Sequence, residues 1–347
     1  MLGIDRHTLK IVWTVFLFAL VLGIIYQVRH TVMIFVLALF FSQLLAPIVA
    51  FFERTGSTRL PRVLILALVY VTMIALIVLA VISIGSRIAE QAANLAARLP
   101  GLLHQGDPLS RLPLPAWFEF ARPRLAGLLQ ERLSDVEQHV LPFISSAGMQ
   151  IISGIGSALS AILIPILSFF FLKDGAAIRK MLVESFPHGN QAVVNEIFSD
   201  LHLLLAQYIR ALVLLAISTF LFYTGFLSIL GVPYAILLAG IAAILEFIPV
   251  VGPLTASAVI LLVSAFTDYP HLLWITIFLV IYRIFQDYVL SPYLMSAGVE
   301  VDPLLVLFGV LAGEQLAGVP GMFFSVPVIA ALRVLYVRLR RQRRVAE

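Results

Sequence analysis

The chain has 347 residues, 61% of them hydrophobic and 12% charged, with a formal net charge of +4. Soluble domains average about 45–50% apolar and about 25% charged residues, so the composition excludes an ordinary soluble protein and predicts an all-α polytopic membrane protein. There is no cysteine, which excludes a disulfide framework, thiolate chemistry and a Cys-based metal site.

The first apolar run, 11–28, follows a short basic head with Arg6, His7 and Lys10. No A-x-A-like cleavage site closes it and a second apolar run begins almost at once, so it reads as a span rather than a signal peptide. Residues 8–28 and 31–52 are a predicted hairpin of two spans. Arg54, Arg59 and Arg62 follow in a short loop whose single acid is Glu53. Basic flanks on both sides place the N-terminus and this loop in the cytoplasm. A third span, 61–84, then leads outward.

The composition changes at Arg87. Residues 87–145 hold six arginines and six acidic residues, with prolines at 100, 108, 113, 115, 123 and 142. Leucines at 95, 99, 102 and 103 fall roughly on one helical face, and those at 125, 128, 129 and 133 repeat the pattern. The segment reads as amphipathic helices around a proline-rich turn, a small helical extramembrane lobe or an oligomer contact. A fourth span, 146–171, carries the small residues Ser153, Gly154, Gly156, Ser157 and Ser160, which permit close helix approach. It ends at Lys173 and Asp174. Residues 175–203 are a polar cytoplasmic segment with a turn signal at ESFPHGN, and a fifth span follows at 207–230.

The most informative stretch is GVPYAILLAGIAAILEFIPVVGP, Gly231 to Pro253. It is apolar except for Glu246, then breaks at Pro249, Gly252 and Pro253 before a second apolar run. About 15 helical residues rise only ~22 Å, too short for a ~30 Å hydrocarbon core. Two half-length runs meeting at a break predict a re-entrant hairpin, 231–267, and broken backbone at membrane depth must face protein or a water-filled cavity. After the turn at Asp268-Tyr269-Pro270 comes a full span, 271–291, containing Arg283, Gln286 and Asp287. VDPLLVLFGVLAGEQLAGVPG, Val301 to Gly321, then repeats the grammar: a proline, an apolar run, a lone carboxylate (Glu314), and a break at Gly318, Pro320 and Gly321. Paired Gly/Pro-interrupted segments are the best sequence pointer to a transporter's binding site.

The predicted layout is therefore N-terminal transmembrane helices in 1–86, an amphipathic segment in 87–145, and a transport core in 146–337. The core holds broken hairpins at 231–267 and 301–337. With about eight membrane segments, the two hairpins and their preceding spans form an inverted repeat. Six arginines between Arg333 and Arg344 make 338–347 a basic cytoplasmic tail, an anchor on anionic lipid rather than a nucleic-acid arm.

The segments SFFFLKDG, GVPYAILLAGIAAILEFIPVVGP, DYVLSPYLM and VDPLLVLFGVLAGEQLAGVPGMFFSVPVIAALRVLY together resemble the autoinducer-2 exporter-like permease family. The similarity covers nearly the whole chain and is strongest over 165–337. The resemblance implies transport, with members linked to export of the signal autoinducer-2 and others to sodium/proton antiport. It also implies a homo-oligomer in the bacterial inner membrane. The chain departs from the usual pattern at Val301-Asp302-Pro303 and at Glu314.

Glu246 and Glu314 are the sharpest candidate site residues. A carboxylate in a low-dielectric site holds its proton more tightly, and an aqueous cavity with a bound cation reverses that, which is the physical basis of ion exchange. The alternative is a structural ion pair, for instance Glu246 with Arg283 or Arg210. Arg283, Gln286 and Asp287 share one turn and offer a cation, an amide and an anion to a small polar ligand. Pro249, Gly252, Pro253, Gly318, Pro320 and Gly321 shape the breaks. No cofactor or metal is expected beyond a coupling ion, proton or sodium. HExxH, GxSxG and phosphate-loop motifs are absent, which argues against an enzyme and against an ATP-driven pump. A secondary transporter remains, with a channel or a non-transporting scaffold or assembly factor as alternatives. The expected partners are the lipid bilayer, further copies of the chain and a small polar solute or ion, with no nucleic acid.

Overall fold

The computed structural model describes residues 6–55, 61–104, 158–267, 269–294 and 302–346; among them the chain is helical almost throughout and contains no strand. The helices are α1 (Arg6–Gln27), α2 (Arg29–Thr55), α3 (Arg62–Ala80), α4 (Ser86–His104), α5 (Ala158–Glu184), α6 (His188–Ile229), α7 (Ala235–Leu245), α8 (Val251–Phe266), α9 (Leu272–Phe285), α10 (Ser291–Leu294) and α11 (Pro303–Ala346). Wider π-helical turns, Val81–Gly85 and Gln286–Leu290, join α3 to α4 and α9 to α10. Five helical stretches of the described residues are long and apolar enough to cross a membrane: 31–53, 62–98, 188–229, 272–294 and 304–338. The protein is a multi-pass, all-α membrane protein. Of the lobe expected over 87–145, residues 105–145 lie outside the described residues, as does the start of the fourth span at 146–157.

The chain divides into two compact units. One comprises Met1–Tyr70 and Ser157–Ile178. Its small core joins Val49 of α2 to Leu66 and Val69 of α3, with Phe169 and Leu172 of α5 against them. The Tyr70 and Ser168 hydroxyls, both buried, hydrogen-bond to each other, as buried polar groups must.

The second unit, Val71–Gly156 with Arg179–Glu347, holds the larger core. Its frame is α6, 42 residues long, which joins the latter part of the predicted polar segment, from His188, and the fifth span in one helix. The turn expected at ESFPHGN separates it from α5. Its end is capped by Gly231 at φ 71°, with Val232 N–H donating to the Leu227 carbonyl and Gly231 N–H to that of Ser228. Glycine reaches this left-handed conformation without steric cost, which is why the chain can turn sharply into α7.

Helices α7 and α8 fold back on each other. Ala235, Leu238, Ala239 and Ala242 of α7 share one core with Ala256, Ile260 and Ala265 of α8 and with Tyr223 and Leu227 of α6. With 11 and 16 residues, the two helices are only about 16 and 24 Å long, so neither crosses the apolar core alone. Helix α4, the beginning of the segment expected outside or against the membrane, packs on this hairpin. Ala92 and Leu95 bury against Leu237, and the Gln91 Oε1 accepts the Leu237 N–H at 2.9 Å. That bond satisfies one of the orphan amides at the start of α7, where the N-cap residue, Tyr234, makes no side-chain capping bond.

The stretch 303–346 is also folded back, although it is helical at both ends. Ala317 (φ −146°) and Gly318 (φ 63°, ψ −143°) are not helical. A Cβ on Gly321 would lie 1.9 Å from the Gly313 carbonyl oxygen, and one on Gly309 would strike Ile329. Positions 313 and 309 therefore face 321 and 325–329: two antiparallel arms in backbone contact, as the GVLAG signal suggests. The Asp302 carboxylate accepts the Leu304 N–H at 2.8 Å and starts the first arm.

Candidate functional site

At the tip of the first hairpin the backbone is strained. Val250 has φ 65° and ψ −58°, and Val251 N–H donates to the Pro249 carbonyl at 2.7 Å. This is a γ-turn of the rare hand, and it is centred on a β-branched residue, for which positive φ is a steric outlier. A Cβ on Gly252 would sit 1.8 Å from the Leu245 carbonyl oxygen, so only glycine fits there. Strain of this kind, costing about 1–3 kcal/mol, persists where surrounding packing over-determines it, and it clusters at ligand clamps and switches.

Glu246 occupies the C-cap of α7, one residue beyond its last turn, and is only 8% exposed. The negative end of a helix dipole gives a carboxylate no help, so its stabilisation has to come from other elements. Two supply it. The Gln286 side-chain amide donates to Oε1 from the first residue of the π-helical turn after α9. The Thr219 hydroxyl of α6 donates to Oε2 at 3.2 Å. Thr219 also meets the Tyr282 hydroxyl of α9 at 3.0 Å. Hydrogen bonds to a charged group are each worth about 1.5–3 kcal/mol, more than neutral pairs.

Around this polar cluster stands a ring system. Tyr282 lies against Phe222, Tyr223, Phe278 and Phe285, with centroid separations between 5.0 and 6.3 Å. Tyr223 in turn lies edge-on to Phe278. Glu246 thus sits where α6, the α7–α8 hairpin and the α9 π-turn converge.

The structure separates the residues grouped by sequence. Gln286 is buried on Glu246, whereas Arg283 and Asp287 pair with each other at 2.8 Å with about 40% of each side chain exposed. Glu246 does not pair directly with Arg283, and Arg210 is exposed on α6. Glu314, four residues before the Gly318 break, is exposed and has no hydrogen bond or ion pair to any described residue. Pro249 and Gly252 form the strained tip, and Gly318 and Gly321 the second break. Pro253 lies in the first turn of α8, and its carbonyl accepts the Ser257 hydroxyl. Pro320 lies in the first turn of the second arm, a position where its missing N–H costs little. The two hairpins touch at Phe247 and Phe323, whose rings are 5.8 Å apart.

Thr219, Tyr223 and Tyr282 were not singled out from sequence. A signal existed: Thr219 and Tyr223 are four residues apart in an apolar span, as are Tyr282 and Gln286, which puts each pair on one helical face. Among the described residues no group of three or more His, Asp or Glu side chains is placed to hold a metal.

The model of the AI-2E family transporters matches residues 15–341 of this chain. The chain belongs to that family. Among relatives in known organisms, YueF of Bacillus subtilis is 28% identical over 323 residues, covering 89% of this chain and 86% of its own. The AI-2 transport protein TqsA of Escherichia coli is 25% identical over 346 residues, covering 95% and 92%. MJ1177 of Methanocaldococcus jannaschii is 26% identical over 230 residues, covering 63% and 69%. The AI-2E family is a family of membrane transporters, not of enzymes. The buried Glu246 cluster is the candidate site of that transport.

Proposed function

We propose that this protein is a secondary transporter that exports a small polar solute or signal molecule by alternating access. In this reading Glu246 is the ion-coupling group and the two hairpins are the gates. The observation that carries the reading is a carboxylate buried at a broken helix tip, with donors from two neighbouring elements and a strained turn four residues on. Buried ionisable groups in membrane segments are costly and mark ion or substrate pathways. The hairpins are re-entrant, and Gln286 orients the carboxylate. Glu314 and the exposed Arg283–Asp287 pair lie at the margins, where a polar solute would first be met. The protein works as a homo-oligomer in the bacterial inner membrane with both termini in the cytoplasm. The name of the TqsA relative supports a signal molecule of the AI-2 class as the first solute to try.

The test is flux into proteoliposomes holding the purified chain under an imposed pH gradient, with AI-2 and sodium in parallel and Glu246→Gln beside the native chain. Signal-molecule flux that follows the gradient and is lost in Glu246→Gln is the expected result. Sodium-dependent proton movement lost in the same variant would make the protein a sodium/proton antiporter. Flux unchanged in Glu246→Gln removes the coupling role, and no flux at all from folded protein favours a scaffold or assembly factor.

A further inference from the structure

Both oxygens of Glu246 face donors, and one of those donors has a single hydrogen to give. The Thr219 hydroxyl spends it on Oε2. Its oxygen must then accept from its other neighbour, so the Tyr282 hydroxyl donates to Thr219. With Glu246 ionised, the chain therefore has one sense: Tyr282 to Thr219 to Glu246. A proton bound at Oε2 makes Glu246 a donor at that atom. Thr219 then accepts from Glu246, and its own hydrogen, displaced from Oε2, is free to turn to the Tyr282 oxygen. The Tyr282 hydrogen loses its acceptor and must turn elsewhere, among the rings of Phe222, Tyr223, Phe278 and Phe285. A polar group turned toward aromatic surroundings without a partner is costly, so the reversal is felt on α9.

We propose that Thr219 and Tyr282 are positioning residues that read the charge state of Glu246 and transmit it to α6 and α9 through a hydroxyl chain whose sense reverses on protonation. The inference rests on the reading of Glu246 as the coupling group. Among the described residues, the charged side chains that act on Glu246 are Arg283 and Asp287. Neither α7 nor α8 contains a charged residue. From α9 and its π-turn, Arg283 and Asp287 act on Glu246 with opposite sign and are paired with each other. From α6, Tyr223 faces the site with its ring edge-on to Tyr282. Gln286 donates to Oε1 in either state and holds the carboxyl still while Oε2 changes role.

The experiment is an infrared pH titration of the full chain in lipid nanodiscs, which needs no transported solute. The protonated carboxyl band absent from Glu246→Gln belongs to Glu246. Thr219→Val removes the hydroxyl at constant shape, and Tyr282→Phe keeps the ring. Thr219→Val is expected to displace the midpoint of that band by about one pH unit, a tenfold change in proton affinity, as loss of a donor to a charged group requires, and Tyr282→Phe, one bond further from the carboxylate, by a smaller amount in the same sense. Thr219→Ser, which keeps the donor, restores the native midpoint, a result that lost packing alone does not produce. A native midpoint in both Thr219→Val and Tyr282→Phe overturns the inference and leaves Glu246 as a coupling group acting without the chain. A spectrum and a proton flux unchanged in Glu246→Gln overturn the proposed function as well.

Discussion

The two hairpins are written in the same order of letters and close by different physics. Both run proline, apolar stretch, lone carboxylate, Gly/Pro break, apolar stretch. The first closes around side chains: its arms share a core with α6, and its carboxylate turns inward onto Thr219 and Gln286. The second closes through backbone, with Gly313 against Gly321, and its carboxylate turns outward with no partner among the described residues. The first places its strain on a valine, Val250, while the second places its positive φ on a glycine, Gly318. Rebuilding Gly318 as another residue would break a turn. Rebuilding Val250 as glycine would relax one. A motif shared in letters thus yields one loaded tip and one relaxed tip, and only the loaded one carries a buried charge.

The largest effect that can break this comparison is on the second hairpin's seam. Gly321→Ala places a methyl 1.9 Å from the Gly313 carbonyl oxygen, so the arms must separate. A loss of about 3 kcal/mol, the upper range for overpacking, is expected as a fall in the thermal unfolding midpoint in detergent. An unchanged midpoint would show that the arms are not in contact. Next is the contrast of carboxylates. Glu246→Gln should lower gradient-driven flux at least about tenfold, equivalent to ~1.4 kcal/mol, whereas Glu314→Gln, an exposed group, should change it less than about twofold. Equal losses would remove the asymmetry between the hairpins.

A smaller effect sharpens the account of strain. Val250→Gly relieves the positive φ at a side chain already 40% exposed. It should stabilise by about 0.5–1 kcal/mol after the entropy cost of glycine, read as a raised unfolding midpoint. A fall instead would mean the turn is not strained. The smallest concerns the second hairpin's tail, where Arg338 of α11 meets Glu196 and Asp200 of α6. Arg338→Gln should lower the midpoint slightly, and less in high salt than in low, because a partly buried ion pair is only partly screened. A salt-independent loss would point to packing rather than charge.

Much of the architecture is legible in the residues because the bilayer imposes it. A chain this apolar must satisfy its backbone internally, which dictates helices, and the two runs on either side of Pro249 are each too short to span. Glu246 was legible as a candidate because a carboxylate in such a run has to be explained. Its partners were less so. Arg283, Gln286 and Asp287 share a turn, but Gln286 lies on the face of Tyr282 and is buried on Glu246, while Arg283 and Asp287, four residues apart, pair on the exposed side.

What the sequence alone determined is the class of protein, the positions of the breaks and the presence of a charge beside each, since these follow from local composition and the thickness of a membrane. Only the tertiary structure decided which charge is buried. Burial depends on what packs against a tip, and Thr219 and Gln286 reach Glu246 from residues 27 and 40 positions away. No local pattern around Glu246 or Glu314 encodes the presence of such donors, so two similar stretches come to hold carboxylates in opposite environments.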